Sequence, residues 1–289
     1  MNPLLSIVIA NYNYGRFLED AIQSVIAQMV GDERDGIRDK VELIICDAAS
    51  TDNSVEIIRK YESRIAWWCS ERDEGQSAAF NKGFSHARGK YLTWLNADDV
   101  LVAGCLKKVI AEMERHSDCE WFTGNFFRFL ESDKTIMQIG WGPHIYPKWM
   151  QTRRSPLVIF GPTTFFSKKI YEQVGRINES MHFCMDNDLW YRFVQAGVKQ
   201  RRIRCFCWAF RMHEASKTAE FGDHKMSQEA LSIGDPELAA MRKRLGLKKK
   251  KSVLSRLIII GLRFIDGSLL MRMIYKWTMM GKVYTMGMR

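Results

Sequence analysis

KYLTWLNADDV, residues 90–100, is an apolar run that ends on two adjacent carboxylates. Residues 91–95 read as a buried strand, and Asn96, Ala97, Asp98 and Asp99 as the turn that follows it. Two like charges side by side at a strand end repel unless donors or a cation stand between them. An oxygen-rich pair of this kind suits Mg2+ or Mn2+ sharing its coordination with a phosphate. An Asp at such a turn can also cap a helix beginning near residues 100–102, and spacing alone leaves both readings open.

The neighbouring segments repeat the pattern. LSIVIA (5–10), VELIICD (41–47) and IAWWCSE (65–71) read as further strands. Residues 17–28, 53–61, 77–87 and 102–115 carry helical periodicity. Strand and helix in alternation imply βαβ units, hence an α/β fold with a mainly parallel sheet flanked by helices. Ligands of such sheets sit beyond the carboxyl ends of the strands. That singles out residues 11–13, Asp47, residues 71–75 and residues 96–99. Asp47, amid small residues in CDAASTDNS, can accept hydrogen bonds from a base or ribose. Asp52 in the same stretch reads as a helix cap. In DEGQSAAFNKGF (73–84), Gly75 and the small residues after it admit an anion at a helix N-terminus, or Gly75 serves only the turn.

The second half differs. WFTGNFFRFL (121–130) and TIMQIGW (135–141) read as a hairpin, 186–197 as a helix and 202–213 as a strand. Asp186 and Asp188 open that helix. Acids there favour the helix dipole, or one of them is a general base.

Composition narrows the class. The 289 residues are 46% hydrophobic and 26% charged, enough for a sizeable core. Seven cysteines without a CxxC pair read as reduced core thiols. The N-terminus lacks a signal-peptide pattern, and no run is long and apolar enough to span a bilayer, so a cytoplasmic location is expected. Residues 248–289 hold ten Lys/Arg against one acid, Asp266, a net of +9, which leaves +1 of the overall +10 for the residues before them. A nearly neutral body argues against nucleic acid as a partner.

In order and spacing, these pieces resemble family 2 glycosyltransferases of the GT-A fold. The pieces are SIVIANYNYGRFLEDAIQSVIAQ, VELIICDAASTDNS, DEGQSAAFNKGFSHARGKYLTWLNADD, GPTTFFSKKIYEQVG, MDNDLWYRF and FRMHEASKT, spanning roughly residues 4–220. The resemblance implies inverting transfer of a sugar from a nucleoside diphosphate to an acceptor hydroxyl, with Mn2+ or Mg2+ as cofactor. UDP is the first nucleotide expected, ahead of GDP and dTDP. Carried over by position, Ala10, Asn11 and Tyr12 would line the nucleotide pocket, Asp47 would meet base or ribose, and Gly75, Gln76 and Asn81 would complete the wall. Asp98 would lie near the ribose and beside the metal, and Asp99 would be the metal's main ligand, with His213 a further one. Asn96 occupies the first acidic position of the family's fuller motif, and its amide makes it a poor primary ligand. Asp186 falls on the general base of an acid pair whose first letter is here Met185, with Asp188 as the substitute. Arg211 and Lys217 would meet phosphate. Thr163, Thr164 and the loop of residues 141–154 would face the acceptor. A catalytically inactive sugar-nucleotide-binding scaffold and a nucleotidyltransferase are the alternatives, the latter disfavoured because ANYNYGRF offers only Arg16 near the first strand.

The expected organisation is a catalytic domain over 1–247, divided into a nucleotide-sugar half (1–116) and an acceptor half (117–247), then a basic amphipathic helical tail over 248–289. A helix with basic and apolar faces can lie on an anionic membrane surface. It can equally pack on the domain or on a second subunit as a homodimer. The resemblance extends to a glycan or lipid-linked glycan acceptor, cell-surface polysaccharide assembly, and a peripheral position on the cytoplasmic face of the inner membrane.

Overall fold

Apolar runs in the first half form four parallel strands: β1 (Leu5–Asn11), β2 (Val41–Asp47), β3 (Trp67–Ser70) and β4 (Tyr91–Asn96). The computed structural model describes residues 2–30, 37–140, 161–214, 216, 236, 237, 239–241, 243, 244 and 268–285. β1 lies between β2 and β4, with Ala10 level with both Cys46 and Asn96, and Asn11 level with Asp47. The parallel strands therefore finish together, and the loops after them share one edge of the sheet.

The rest of the sheet is mixed. Its order is β3-β2-β1-β4-β8-β6-β9-β5, with β7 on β6. Here β5 is Val100–Leu101, β6 Trp121–Leu130, β7 Ile136–Gly140, β8 Thr164–Ser167 and β9 Gln200–Met212. The expected hairpin is β6–β7, antiparallel with a shift at Arg128. β5 follows β4 almost at once in the chain yet pairs with β9, Val100 opposite Ala209. The turn of residues 97–99 thus throws the chain from one part of the sheet to another. No helix starts at 100–102, because those residues continue as strand, and α4 (Cys105–Arg115) begins later behind Gly104.

β1 is buried on both faces, as a central parallel strand must be. Ile7 and Ile9 join Leu18, Ile22 and Val25 of α1 (Gly15–Met29) and Val109 of α4. On the opposite face, Val8 and Ile44 meet Phe80 and Phe84 of α3 (Gln76–His86) and Trp190 of α6 (Met185–Gln195). Gly83 is required at that contact: a Cβ there would stand 2.4 Å from Val8 Cγ1. The rings of Trp94 and Trp190 stack at 5.5 Å and 4° between β4 and α6, fixing that helix to the central sheet. Two short helices, α2 (Ser54–Lys60) and α5 (Lys168–Gln173), complete the layers.

Part of the basic tail is described. α7 (Ser268–Met279) packs Tyr275 and Met279 beside Phe127, Phe129 and Ile136. Its other face carries Leu270, Met273, Ile274 and Trp277, all exposed, Trp277 by 88%. Among the described residues no helix is long and apolar enough to cross a membrane.

Candidate active site

A cleft of about 860 Å³ opens at the shared carboxyl edge of the parallel strands. Ala10, Asn11 and Tyr12 line it from the end of β1, Gly75 and Gln76 from the start of α3, and Asp98 from the turn after β4. Gly75 caps α3 with φ of +109°, a conformation that glycine alone adopts freely. Tyr12 is 59% exposed and presents its ring at the rim.

Asp47 stands behind this wall. It is buried and is not among the cleft-lining residues. Its Oδ1 accepts from Asn11 Nδ2 (2.7 Å) and Ser50 Oγ (2.5 Å), and its Oδ2 from Ser50 N–H (3.0 Å) and Ser70 Oγ (2.6 Å). Four donors saturate the carboxylate. Asp47 ties the ends of β1, β2 and β3 together and positions the small residues Ala48 and Ala49, which do line the cleft. The residue expected to meet base or ribose therefore stands one layer behind the lining groups. Asp52 keeps its local role, accepting the Ser54 N–H and the Gly15 N–H that opens α1.

The two carboxylates of NADD point opposite ways. Asp99 is fully buried. Its Oδ1 accepts the Arg211 backbone N–H (2.9 Å) and its Oδ2 accepts Asn96 Nδ2 (2.8 Å). Asn96 in turn accepts from Gln76 Nε2 at 3.1 Å. Burial, then the charge of Asp98, pushes the Asp99 carboxyl well above the usual carboxylate range, while the Arg211 and Asn96 donors oppose that shift. Asp99, the expected main metal ligand, is thus enclosed behind the cleft and does not line it. Asp98 turns outward into the cleft, and its Oδ2 lies 3.2 Å from Nε2 of His213. His213 is 4% exposed, its ring 4.3 Å from that of Phe17.

Arg211, expected to meet phosphate, is turned inward. Only 1% exposed, it spends its donors inside the protein: Nε on the Asp98 carbonyl (2.8 Å), Nη1 on Glu131 (2.6 Å) and Nη2 on Asp20 (2.7 Å). It holds the turn that aims Asp98. Lys217 and the loop of 141–154 lie outside the described residues. Thr163 and Thr164 are buried and off the cleft, the Thr164 carbonyl accepting from Thr93 Oγ1 at 2.8 Å, while Gly161 and Pro162 just before them form the wall.

Asp186 lines the cleft from the first turn of α6. Burial pushes its carboxyl up to about 6, although the N–H groups of Asn187 oppose the shift. Its neighbour Met185 packs into the floor against Ser77, whose Oγ lies 3.0 Å from the thioether sulfur. Asp188 faces the other way. It is fully buried and paired with Arg192 (2.8 Å) and Arg244, so the expected substitute base is turned away from the cleft. Asn81 likewise braces the loop before α6, accepting from Tyr171 Oη and the Ile177 N–H and donating to Glu179 at 2.6 Å. It is not part of the wall.

Among the cleft residues that the sequence did not single out, two bear on its charge and hydrogen bonding. Arg128 reaches it from β6, its guanidinium 5.1 Å from the Phe210 ring centre. A lone charge in the apolar run WFTGNFFRFL was the available signal. Tyr14 lines the cleft with its phenol pushed up to about 12 by burial, then by the charges of Asp98 and Asp99, and so stays a donor at neutral pH.

Residues 6–175 match the profile described as glycosyl transferase family 2. The chain belongs to that family. It is 34% identical over 137 residues to an uncharacterized glycosyltransferase of Nostoc sp., covering 46% of this chain and 40% of that protein. It is 25% identical over 205 residues to the putative glycosyltransferase EpsE of Bacillus subtilis, covering 68% and 69%. The chain spans 40% to 60% of the length of the first curated relatives it matches. Its fold is shared with a mannosyltransferase of Pyrobaculum calidifontis solved with GDP-Man and Mn2+ (TM-score 0.54, 14% identity, 96% of this chain and 84% of that one). It is shared also with S. aureus TarS residues 1–349 in complex with UDP-GlcNAc (TM-score 0.53, 13% identity, 74% and 60%). This is the GT-A architecture expected from the sequence.

Arg211→Met removes the single cation that Asp20 and Glu131 share with the Asp98 carbonyl. Urea unfolding should show a loss of ~3–5 kcal/mol, the usual cost of breaking a buried charge network by one partner.

Proposed function

We propose that the cleft binds a nucleoside-diphosphate sugar, UDP-linked in the first instance, and that the enzyme transfers the sugar with inversion to an acceptor hydroxyl. The observation that carries this reading is the pair of carboxylates in one cleft with separate surroundings. Asp98 is next to an imidazole at the strand ends, and Asp186, raised to about 6, opens a helix on the facing wall.

Asp98 and His213 would hold the divalent ion. Oxygen and imidazole donors suit Mn2+ or Mg2+, which take one or two protein ligands and fill the rest with phosphate and water. When bound, the ion supplies positive charge to the leaving diphosphate. The chain's own groups do the rest. Small residues at 10, 48, 49 and 75 let a nucleotide approach the backbone, with the Tyr12 ring at the rim. Arg128 adds a fixed cation to the same wall. Asp186 accepts the proton of the acceptor hydroxyl as its oxygen bonds to the anomeric carbon. The bond to the diphosphate oxygen breaks on the opposite side, and the diphosphate leaves with the electron pair. One displacement inverts the centre and needs no covalent sugar–enzyme intermediate.

The acceptor in this reading is a glycan or lipid-linked glycan in cell-surface polysaccharide assembly, reached from the membrane surface. Support comes from α7. Leu270, Met273, Ile274 and Trp277 recur at i, i+3, i+4 and i+7 on the side opposite Tyr275 and Met279, and exposed Lys276 flanks them. An outward apolar stripe in a segment of net charge +9 fits the headgroup region of an anionic bilayer.

Asp186→Asn should bind UDP with the wild-type dissociation constant by calorimetry. Its sugar transfer should fall by at least 10²-fold, within the range lost with a general base. In the wild type, kcat/KM should fall tenfold per pH unit below about 6, where Asp186 takes up its proton. Near-normal transfer by the Asn variant removes Asp186 as the base. Separately, the double variant Met273→Glu, Trp277→Glu should stop co-sedimenting with phosphatidylglycerol vesicles while binding UDP normally. Unchanged sedimentation contradicts the membrane-facing assignment.

A further inference from the structure

The turn that leads into α6 is held by a residue far along the chain. The carboxylate of Glu237 accepts three successive backbone N–H groups, those of His182 (2.7 Å), Phe183 (2.9 Å) and Cys184 (3.1 Å). Successive amides converging on one anion form a concave nest, a strong local anion site. Here the anion is a side chain of the same protein. Two further contacts fasten the same segment. Met241 is fully buried in the cluster containing Met181, Cys184, Met185 and Leu189, and Arg244 pairs with Asp188. Positions 237, 241 and 244 fall on one face of a helical run, so the three contacts act together.

All three bear on the first turn of α6. His182 and Phe183 line the cleft, and Asp186 is two residues beyond the last amide that Glu237 holds. We propose that Glu237 is a positioning residue for Asp186, clamping the turn that aims the base and opposing the positive field of the amide nest beside it. This rests on the reading of Asp186 as the base and adds what fixes its aim and basicity.

The clamp acts in two separable ways. Geometrically, losing it frees three donors and lets the 182–184 turn drift, which misaims Asp186 without touching the nucleotide wall. Electrostatically, losing it removes a negative charge and leaves the nest uncompensated. Both changes favour the ionised carboxylate, so the protonation midpoint of Asp186 moves down and the base weakens. The other charged side chains that line the cleft are Arg72 and Asp73 before α3, Asp98 after β4 and Arg128 on β6, none of them in the 182–184 turn, while His182 belongs to that turn. A shift on changing position 237 therefore reports the loss of the Glu237 clamp, its charge and its hold on the turn together.

The test uses the full chain labelled at the aspartate carboxyl carbon, with the Asp186 resonance assigned by its absence in Asp186→Asn. The wild-type midpoint should be about 6. In Glu237→Gln, a neutral near-isostere, it should fall by about half a pH unit or more, the size of a charge-at-helix-terminus effect. Glu237→Asp should restore it. Transfer from UDP-N-acetylglucosamine or GDP-mannose, whichever the wild type uses, should lose kcat in Glu237→Gln with little change in donor KM. An unmoved Asp186 midpoint overturns the proposal, whether or not the protein is less stable, because a merely structural cap would give that result. A variant that fails to bind UDP also overturns it, since the clamp would then serve the whole fold. If the midpoint moves but Asp186→Asn still transfers sugar, the fault lies with the base assignment and not with the clamp.

Discussion

Arg211 is a guanidinium shut inside the protein, and the geometry of the cleft depends on it. Its side chain reaches the Asp98 carbonyl, Glu131 and Asp20, and its own backbone N–H goes to Asp99. Those groups come from the turn after β4, the end of β6 and α1, elements that the chain order keeps apart. A buried charge tolerates little displacement of its partners, because an unpaired ion in that environment costs several kcal/mol. The turn of residues 97–99 is thus fixed from its inner side. One consequence is the division of labour between two adjacent aspartates. Asp99 accepts the inner donors, the Arg211 backbone N–H and the Asn96 amide, and Asp98 is left to face the cleft.

The same principle recurs on the facing wall. Asp186 and Asp188 stand two residues apart on α6, one toward the cleft and one toward Arg192 and Arg244. In each pair an inward carboxylate is consumed by internal cations or donors, and that anchorage aims the outward one. Asp47 belongs with the inward group. Its four donors join three strand ends, and the ligand-facing surface is left to backbone and methyl groups. The cleft therefore owes its shape to buried polar residues that do not line it.

Much of the fold was legible in the sequence. β1, β2 and β4 are buried on both faces and so read as continuous apolar runs, and their alternation with amphipathic helices implied the parallel sheet. The positions after the strands, Asn11, Tyr12, Gly75 and Asp98, were legible for the same reason, whereas the places of Ala10, Gln76 and Asp186 came from the family resemblance. What local pattern could not reveal was direction. β5 is two residues long and owes its existence to β9, so the turn at 97–99 read as a helix start, and Asp99 appeared as available as Asp98. Arg211 looked like a free cation at a strand end because its partner Asp20 lies 191 positions away. Asn81 looked like a wall residue because Tyr171, Ile177 and Glu179 come from another element. For Arg211 and Asn81 the deciding partners are remote in sequence, whereas Asp99 and Asp188 also have partners three and four positions away, Asn96 and Arg192.

The account turns on which of two neighbouring carboxylates serves the ligand. Calorimetric titration of UDP with and without Mn2+ into Asp98→Asn and Asp99→Asn, each paired with a thermal melt, separates them. Asp98→Asn should lose the Mn2+-dependent part of UDP binding and melt near the wild-type temperature. Asp99→Asn should melt several degrees lower, about 4 °C or more if the loss is ~2 kcal/mol, while keeping Mn2+-dependent binding wherever it remains folded. Metal-dependent binding lost in a stably folded Asp99→Asn and retained in Asp98→Asn would contradict the account.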